Sequence, residues 1–228
     1  MRGHVIVVLA AVLVGCGATA PPLPDGLVLR AQQLVGMPSP DPGRLPEFSL
    51  YGDGTVLRPG PDRGALHTLE AVKATAAQTR EFYDRAHGVG LDADQEILNP
   101  DVVDGYSQVF VLVSGGHRYV TEADNPDESS DLVAFHETLH VEGRAEPYRP
   151  QRIAAVAWGS APAEGARPWP WGTFDEGGCL ILDADQATAV ATSVPAHTPW
   201  LVGGREVLVV FRPLLPDEST CADLDYGR

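Results

Sequence analysis

Apolar and polar residues alternate with a period of two along much of the chain, which is the pattern of half-buried β-strands. Eight stretches show it, and they predict strands at residues 26–34, 48–51, 55–58, 106–114, 117–121, 153–158, 180–183 and 206–212. Two pairs of these strands flank short turns, with Asp-Gly at residues 53–54 and Gly-Gly at residues 115–116. Such turns favour tight hairpins. The pattern therefore predicts antiparallel pairing.

Three segments have helical periodicity instead. The first covers residues 75–87, where Thr75 can cap the start and Gly88 can end the helix. The second covers residues 130–142, and the third, which is shorter, covers residues 184–193. Because strands outnumber helices and are joined by tight turns, we expect an α+β fold in which two or three helices pack on a mainly antiparallel sheet.

The N-terminus has the features of an export signal. Arg2 is followed by ten consecutive apolar residues at 5–14, which is too short for a membrane-spanning helix but suits a signal peptide. The sequence Leu-Val-Gly-Cys at residues 13–16 resembles a bacterial lipobox, in which the cysteine thiol receives diacylglycerol before cleavage. We therefore expect a signal peptide at 1–15, a lipidated Cys16 with a flexible spacer at 16–25, and one globular domain at 26–228. The alternative is an ordinary secretory signal that is cleaved near Ala18 or Ala20.

The cysteine count agrees with the lipobox. The chain has three cysteines. Acylation of Cys16 would leave Cys179 and Cys221, and a pair of thiols outside the cytoplasm should oxidise to a disulfide. The alternative is two separate buried thiols.

The charge of the chain limits its partners. Asp and Glu number 31 against 16 Lys and Arg, for a formal net charge of -15, and Lys73 is the only lysine. Nucleic-acid affinity comes largely from basic side chains that displace counterions. We therefore expect no nucleic-acid partner, and we expect membrane attachment to depend on the lipid at Cys16.

One motif suggests catalysis. His136-Glu137-Thr138-Leu139-His140 matches H-E-x-x-H and falls in the second predicted helix. Residues four apart share a helix face, so His136 and His140 could both bind one zinc ion while Glu137 acts as base toward a metal-bound water. Periodicity predicts that both histidines face inward. With Gly143 and Glu146, the segment resembles the metzincin pattern of secreted metalloproteases, which implies Glu146 as a third ligand.

Two departures weaken that resemblance. The third metzincin ligand is His or Asp rather than Glu, and the methionine turn of that family is missing because no Met follows Met37. The alternative is an amphipathic helix with two partly buried histidines that bind no metal. No G-x-S-x-G, P-loop or dinucleotide-binding motif occurs in the sequence.

Several short segments resemble a further group of proteins. They are the lipobox at Cys16, Leu-Tyr-Gly-Asp-Gly-Thr-Val at residues 50–56, and Arg-Pro-Leu-Leu-Pro-Asp-Glu at residues 212–218 followed by Cys221. They are similar to uncharacterised secreted lipoproteins of actinobacteria, over nearly the whole mature chain. The resemblance implies a membrane anchor and a disulfide-bearing domain, and it implies no reaction.

We therefore expect an extracytoplasmic lipoprotein at the outer face of the cytoplasmic membrane. Its domain is expected to be noncatalytic, to need no cofactor, and to bind an envelope protein or ligand. The alternative is a small secreted zinc-dependent metalloprotease or hydrolase that uses His136, Glu137, His140 and Glu146.

Overall fold

The computed structural model describes residues 21–35, 43–99, 105–160 and 165–224. The predicted signal peptide and Cys16 lie outside these residues. Within them, two mainly antiparallel sheets and three α-helices form an α+β fold, as the sequence predicts. No helix in the described ranges is both long enough and apolar enough to cross a membrane.

Thirteen strands make up the two sheets of the described residues. In chain order they are β1 (Leu27–Val35), β2 (Phe48–Tyr51), β3 (Thr55–Pro59), β4 (Leu69–Lys73), β5 (Gln95–Leu98), β6 (Tyr106–Ser114), β7 (His117–Asp124), β8 (Glu146–Pro147), β9 (Arg152–Ser160), β10 (Arg167–Pro168), β11 (Cys179–Asp183), β12 (Pro199–Val202) and β13 (Arg205–Pro213). The helices are α1 (Ala76–Gly88), α2 (Asp131–Glu137) and α3 (Ala184–Ala191), and a 3-10 helix covers Cys221–Leu224.

The first sheet has eight strands in the order β5-β7-β6-β1-β2-β3-β4-β8. All neighbours in it are antiparallel except β5 and β7. Both predicted hairpins are present, since β2 pairs with β3 and β6 with β7. At the second turn, Gly115 and Gly116 have φ angles of 59° and 81°, which only glycine adopts readily. The turn therefore depends on the glycine pair that predicted it.

The second sheet has five strands in the order β10-β12-β13-β9-β11, of which only β10 and β12 are parallel neighbours. The helix α3 packs its alanines on one face of this sheet, against Phe211 and Trp200. On one face of the first sheet, α1 and α2 cover a core that includes Phe48 and Phe110.

The C-terminal segment contacts the other face of each sheet. Val109 and Val111 alternate with the helix-facing residues of β6. They pack with Leu215 on the face of the first sheet opposite the helices. Leu214 packs with Ala154 on the corresponding face of the second sheet. The residues after β13 therefore join the two sheets through adjacent leucines.

The structure corrects several predicted boundaries. The predicted helix at residues 130–142 ends at Glu137. Five strands were not predicted: β4, β5, β8, β10 and β12. The first helix begins after the Thr75 cap as predicted, but it includes Gly88 and its C-cap is Val89.

Candidate functional site

The H-E-x-x-H segment does not form the helical site that its spacing predicts. The helix α2 ends at Glu137, where the N–H of Thr138 donates to Phe135 and the N–H of Leu139 donates to His136. Both bonds span three residues rather than four, so the chain tightens and leaves the helix. The next residues turn inward, because Val141 is buried in the core of the first sheet. Burial of Val141 thus competes with continuation of the helix.

As a result, the two histidines have different surroundings. His136 is half-buried, with its ring 6.0 Å from that of Phe110, and burial lowers its pKa. His140 was expected to face inward, but its side chain is 67% exposed. Glu146 is exposed in β8. Within the described residues, these three side chains do not bring their ligand atoms within 4.8 Å of one another.

The predicted disulfide between Cys179 and Cys221 is present. It joins β11 to the 3-10 helix that begins at Cys221. The carboxylate of Asp175 accepts a hydrogen bond of 2.7 Å from the N–H of Cys179, which fixes the start of β11. At the other end, the carboxylate of Asp223 accepts bonds from the N–H groups of Ser219 and Thr220, which lower its pKa. The backbone near each cysteine is thus fixed by a nearby carboxylate.

A buried ionic cluster lies where the C-terminal segment meets both sheets. Glu218 accepts two hydrogen bonds from one guanidinium nitrogen of Arg212, at 2.9 and 3.0 Å, and a third from the N–H of Leu215. Arg30 of β1 donates to Asp217 at 2.6 Å, and the hydroxyl of Tyr51 donates to the same carboxylate oxygen at 2.8 Å. Arg30, Arg212 and Glu218 are all buried.

The cluster acts as a structural link. Arg30 belongs to the first sheet and Arg212 to the second, while Asp217 and Glu218 lie together in the segment that follows β13 and contacts both sheets. A charge buried without a partner would be strongly destabilising, so each arginine requires its carboxylate. Burial raises the pKa of Glu218 and also that of Tyr51. Since Arg30, Arg212 and Glu218 are enclosed and Asp217 is only 24% exposed, this cluster offers little access to a ligand.

A different cavity, of about 570 Å³, brings together groups that can do chemistry. We call it the Ser114 cleft, and its walls include Pro21, Arg80, His87, Asp92, Ser114 and Tyr119. Ser114 is the last residue of β6, directly before the Gly-Gly turn. His87 lies in the last turn of α1. The site therefore forms where the end of a strand meets the end of a helix.

The end of α1 is shaped so that the chain turns back toward His87. The N–H of Gly90 donates to His87 and the N–H of Leu91 donates to Ala86, which together form a Schellman motif. Gly90 has a φ of 83°, as this motif requires, and Leu91 is buried beside Ala86 in the core. The reversal of the chain places Asp92 next to the C-terminal end of α1.

Four polar groups then form a continuous chain. The hydroxyl of Tyr83 is 2.7 Å from Oγ of Ser114, which is 3.0 Å from Nε2 of His87. Nδ1 of His87 is 3.3 Å from Oδ2 of Asp92. When His87 carries its proton on Nδ1, each group donates to the next: Tyr83 to Ser114, Ser114 to His87, and His87 to Asp92. Tyr83 lies one helical turn before His87, so both face the same wall.

Sequence reasoning missed this set. Ser114 and His87 are 27 residues apart and belong to no recognised motif. The available signals were the Gly-Gly turn after Ser114 and the four-residue spacing of Tyr83 and His87, and neither identifies a partner on another element.

A second cavity of about 580 Å³ is lined by residues that include Leu66, Thr68, Tyr148, Thr188 and Pro213. Its Thr68 hydroxyl donates to the carbonyl of Pro61. In the Ser114 cleft, by contrast, a serine hydroxyl lies 3.0 Å from a histidine ring nitrogen, so that cleft is the stronger candidate for chemistry.

Comparisons with protein-family models, with curated proteins and with solved structures found no match to this chain.

Proposed function

We propose that this protein is an extracytoplasmic lipoprotein. Cys16 carries the lipid, and the folded domain binds a component of the cell envelope in the Ser114 cleft at the outer face of the cytoplasmic membrane. The observation that carries the proposal is the position of Pro21, which lies in the wall of the cleft only five residues after Cys16.

The short connection keeps the cleft close to the anchor. Arg80 donates to the carbonyl of Pro21 at 3.4 Å, which ties the spacer to α1 beside the cleft. Five residues span at most about 18 Å even when fully extended. A lipid on Cys16 would therefore hold the cleft within about 18 Å of the anchored residue, in reach of the membrane surface and of molecules attached to it.

The disulfide supports an extracytoplasmic location. Structural disulfides persist in oxidising compartments and are rare in the cytoplasm, where thiols are kept reduced. The Cys179–Cys221 bond uses both cysteines other than Cys16. This leaves a single thiol for acylation, as a lipoprotein needs.

Metabolic labelling tests the anchor. Radiolabelled palmitate should enter the wild-type protein and the Cys221→Ser control, and it should not enter Cys16→Ser. The control changes a cysteine outside the lipobox, so it separates loss of the acceptor thiol from a general effect of cysteine removal. Equal labelling of Cys16→Ser and wild type contradicts the proposal, as does full-length protein in the cytosol that still carries Met1.

Site-specific photocrosslinking tests the binding role. A photoreactive residue at exposed His117, on the rim of the cleft, should form adducts with an envelope component in intact cells. The same residue at exposed His197, between α3 and β12, is the matched control and should not. Adducts of equal yield at both positions, or none at position 117, contradict binding in the cleft.

A further inference from the structure

We propose that the Ser114 cleft is a hydrolytic site for small carboxylic esters, with Ser114 as the nucleophile and His87 as its general base. Asp92 and Tyr83 are positioning residues. The inference goes beyond envelope binding and does not depend on the lipid anchor, because all four residues lie in the folded domain.

The geometry is that of an activated serine. A nucleophile and its base must lie within about 2.6–3.2 Å, with the base oriented by a third group. Here Oγ of Ser114 is 3.0 Å from Nε2 of His87, and the opposite ring nitrogen faces Asp92 at 3.3 Å. The carboxylate therefore favours the tautomer in which Nε2 is free to accept the serine proton. In that tautomer Oγ donates to Nε2, so the Tyr83 hydroxyl, 2.7 Å away, donates to Oγ and fixes the direction of the serine hydroxyl.

The exposure of these groups also fits a reactive site. Tyr83 is fully buried and needs a partner for its hydroxyl, but Ser114 alone would satisfy that need. A purely structural network would not need the additional pair of His87 and Asp92 on the wall of an open cavity. Ser114 is only 3% exposed, and it lines that cavity. A ligand in the cleft would therefore meet Ser114 where bulk solvent has limited access.

The turn after Ser114 can receive the developing negative charge. Within the described part of the chain, the N–H groups of Gly115 and Gly116 donate to no acceptor outside the β6–β7 ladder. A side chain added at Gly116 would meet nothing within 4 Å, and one at Gly115 only Pro21 at 4.0 Å, so the space beside the turn is open. The amide after the nucleophile is a common oxyanion donor in serine hydrolases.

The reaction then proceeds in two steps. Oγ of Ser114 forms a bond to the carbonyl carbon of the ester while its proton moves to Nε2 of His87. The carbon–oxygen bond to the alcohol breaks, and the alcohol leaves with that proton. A water molecule next gives a proton to Nε2 of His87 and forms a bond to the acyl carbon. The bond between that carbon and Oγ breaks, His87 returns the proton to Oγ, and the carboxylic acid leaves. The net reaction is ester plus water to acid plus alcohol, with no further reactant.

Active-site labelling tests the nucleophile. A fluorophosphonate should form a bond between phosphorus and Oγ of Ser114, with loss of fluoride and transfer of the serine proton to His87. We expect one label per purified wild-type chain, on the peptide that contains Ser114, and none on Ser114→Ala or His87→Ala. No label, or a label on another residue, overturns the proposal.

Turnover of p-nitrophenyl butyrate tests the positioning residue Asp92. Asp92 is half-exposed, so Asp92→Asn should stay folded, and it should lower kcat by about a thousandfold with KM little changed. A merely structural role for Asp92 would not produce this split. Turnover by Asp92→Asn at the wild-type rate overturns the assignment.

His140→Ala is the matched control, because His140 is exposed and lies outside the Ser114 cleft. It should turn over the ester like wild type, with or without a chelator. A zinc hydrolase built on the H-E-x-x-H segment would instead be inactivated both by the His140→Ala substitution and by the chelator. Inactivation by either one overturns the proposal. A failure of palmitate labelling, in contrast, would remove the anchor and leave these measurements unchanged.

Discussion

Removal of the Cys179–Cys221 disulfide should destabilise the protein by about 4 kcal/mol. The crosslink closes a loop with a sequence separation of 42 residues. The chain-entropy relation for a loop of that size gives about 13 cal/mol/K, which is about 4 kcal/mol at 25 °C. In this account the bond acts on the unfolded chain, which it prevents from exploring its most extended conformations.

Urea unfolding of the Cys179→Ser/Cys221→Ser double variant measures the loss. Trp169, Trp171 and Trp200 surround Phe211 in the core of the second sheet, so tryptophan fluorescence reports unfolding there. With an m-value of about 2 kcal/mol/M, the midpoint should fall by about 2 M. The m-value should also rise, because an uncrosslinked unfolded chain exposes more surface.

Reduced wild-type protein is the control, since it loses the bond without any substitution. It should unfold at nearly the same urea concentration as the double variant. A loss below about 1 kcal/mol in both would refute the entropic reasoning, because it would show that the loop does not restrict the unfolded chain. A loss in the double variant alone would assign the effect to the serines rather than to the crosslink.

Two further predictions concern charged groups. Glu218→Gln should lower the free energy of unfolding in urea by about 3 kcal/mol, because it removes the negative charge beside buried Arg212. The exposed control Glu81→Gln should change it by less than about 0.5 kcal/mol. Equal effects of the two substitutions would contradict the structural role of the buried ionic cluster. Asp53 has a pKa of about 2, lowered by its hydrogen bond from Lys73. Because this folded-state pKa lies below the ordinary value of 3.8, its stabilising effect is present above about pH 4 and is lost as the pH falls through about 2. Since the Asp53 side chain is 62% exposed, Asp53→Asn should lower the free energy of unfolding by at most about 1 kcal/mol at pH 7 and by less at pH 3. An NMR titration midpoint near 3.8 for Asp53 would contradict the lowered pKa.

The elements that the sequence predicts best have strong local signals. The Thr75 cap is present as a full capping box with Gln78, and α1 buries Phe82 and Tyr83. The β6–β7 hairpin follows from its Gly-Gly turn. In each case, a few neighbouring residues determine the backbone without help from distant contacts.

The elements that were missed depend on tertiary contacts. The strand β4 has the sequence Leu-Glu-Ala-Val-Lys, which contains good helix formers, yet it pairs with β3 over all five residues. All four residues of β5 are exposed, so no buried face marks it as a strand. Conversely, α2 ends early because Val141 is drawn into the core. Pairing and burial at a distance outweigh local propensity in these segments.

The candidate site could not be predicted from the sequence for a related reason. Its residues are ordinary in composition: a serine at a strand end, a histidine in the last turn of a helix, and an aspartate in a loop. The Schellman motif at Gly90 and Leu91 supplies the missing information, since it returns Asp92 to His87. The pairing of β6 with β1, together with the packing of α1 on that sheet, brings Ser114 to the same place.

The same arrangement would couple the proposed anchor to the cleft. The spacer enters the fold at Pro21, beside Arg80 of α1, and β1 then begins at Leu27 in the middle of the first sheet. Because β1 pairs directly with β6, the strand that follows the spacer also supports the strand that ends at Ser114. A lipid on Cys16 would therefore limit the distance between the anchored residue and the cleft wall at Pro21 to about 18 Å. Substrates attached to that surface would reach the cleft at high local concentration, which is the physical advantage that the proposed anchor would give.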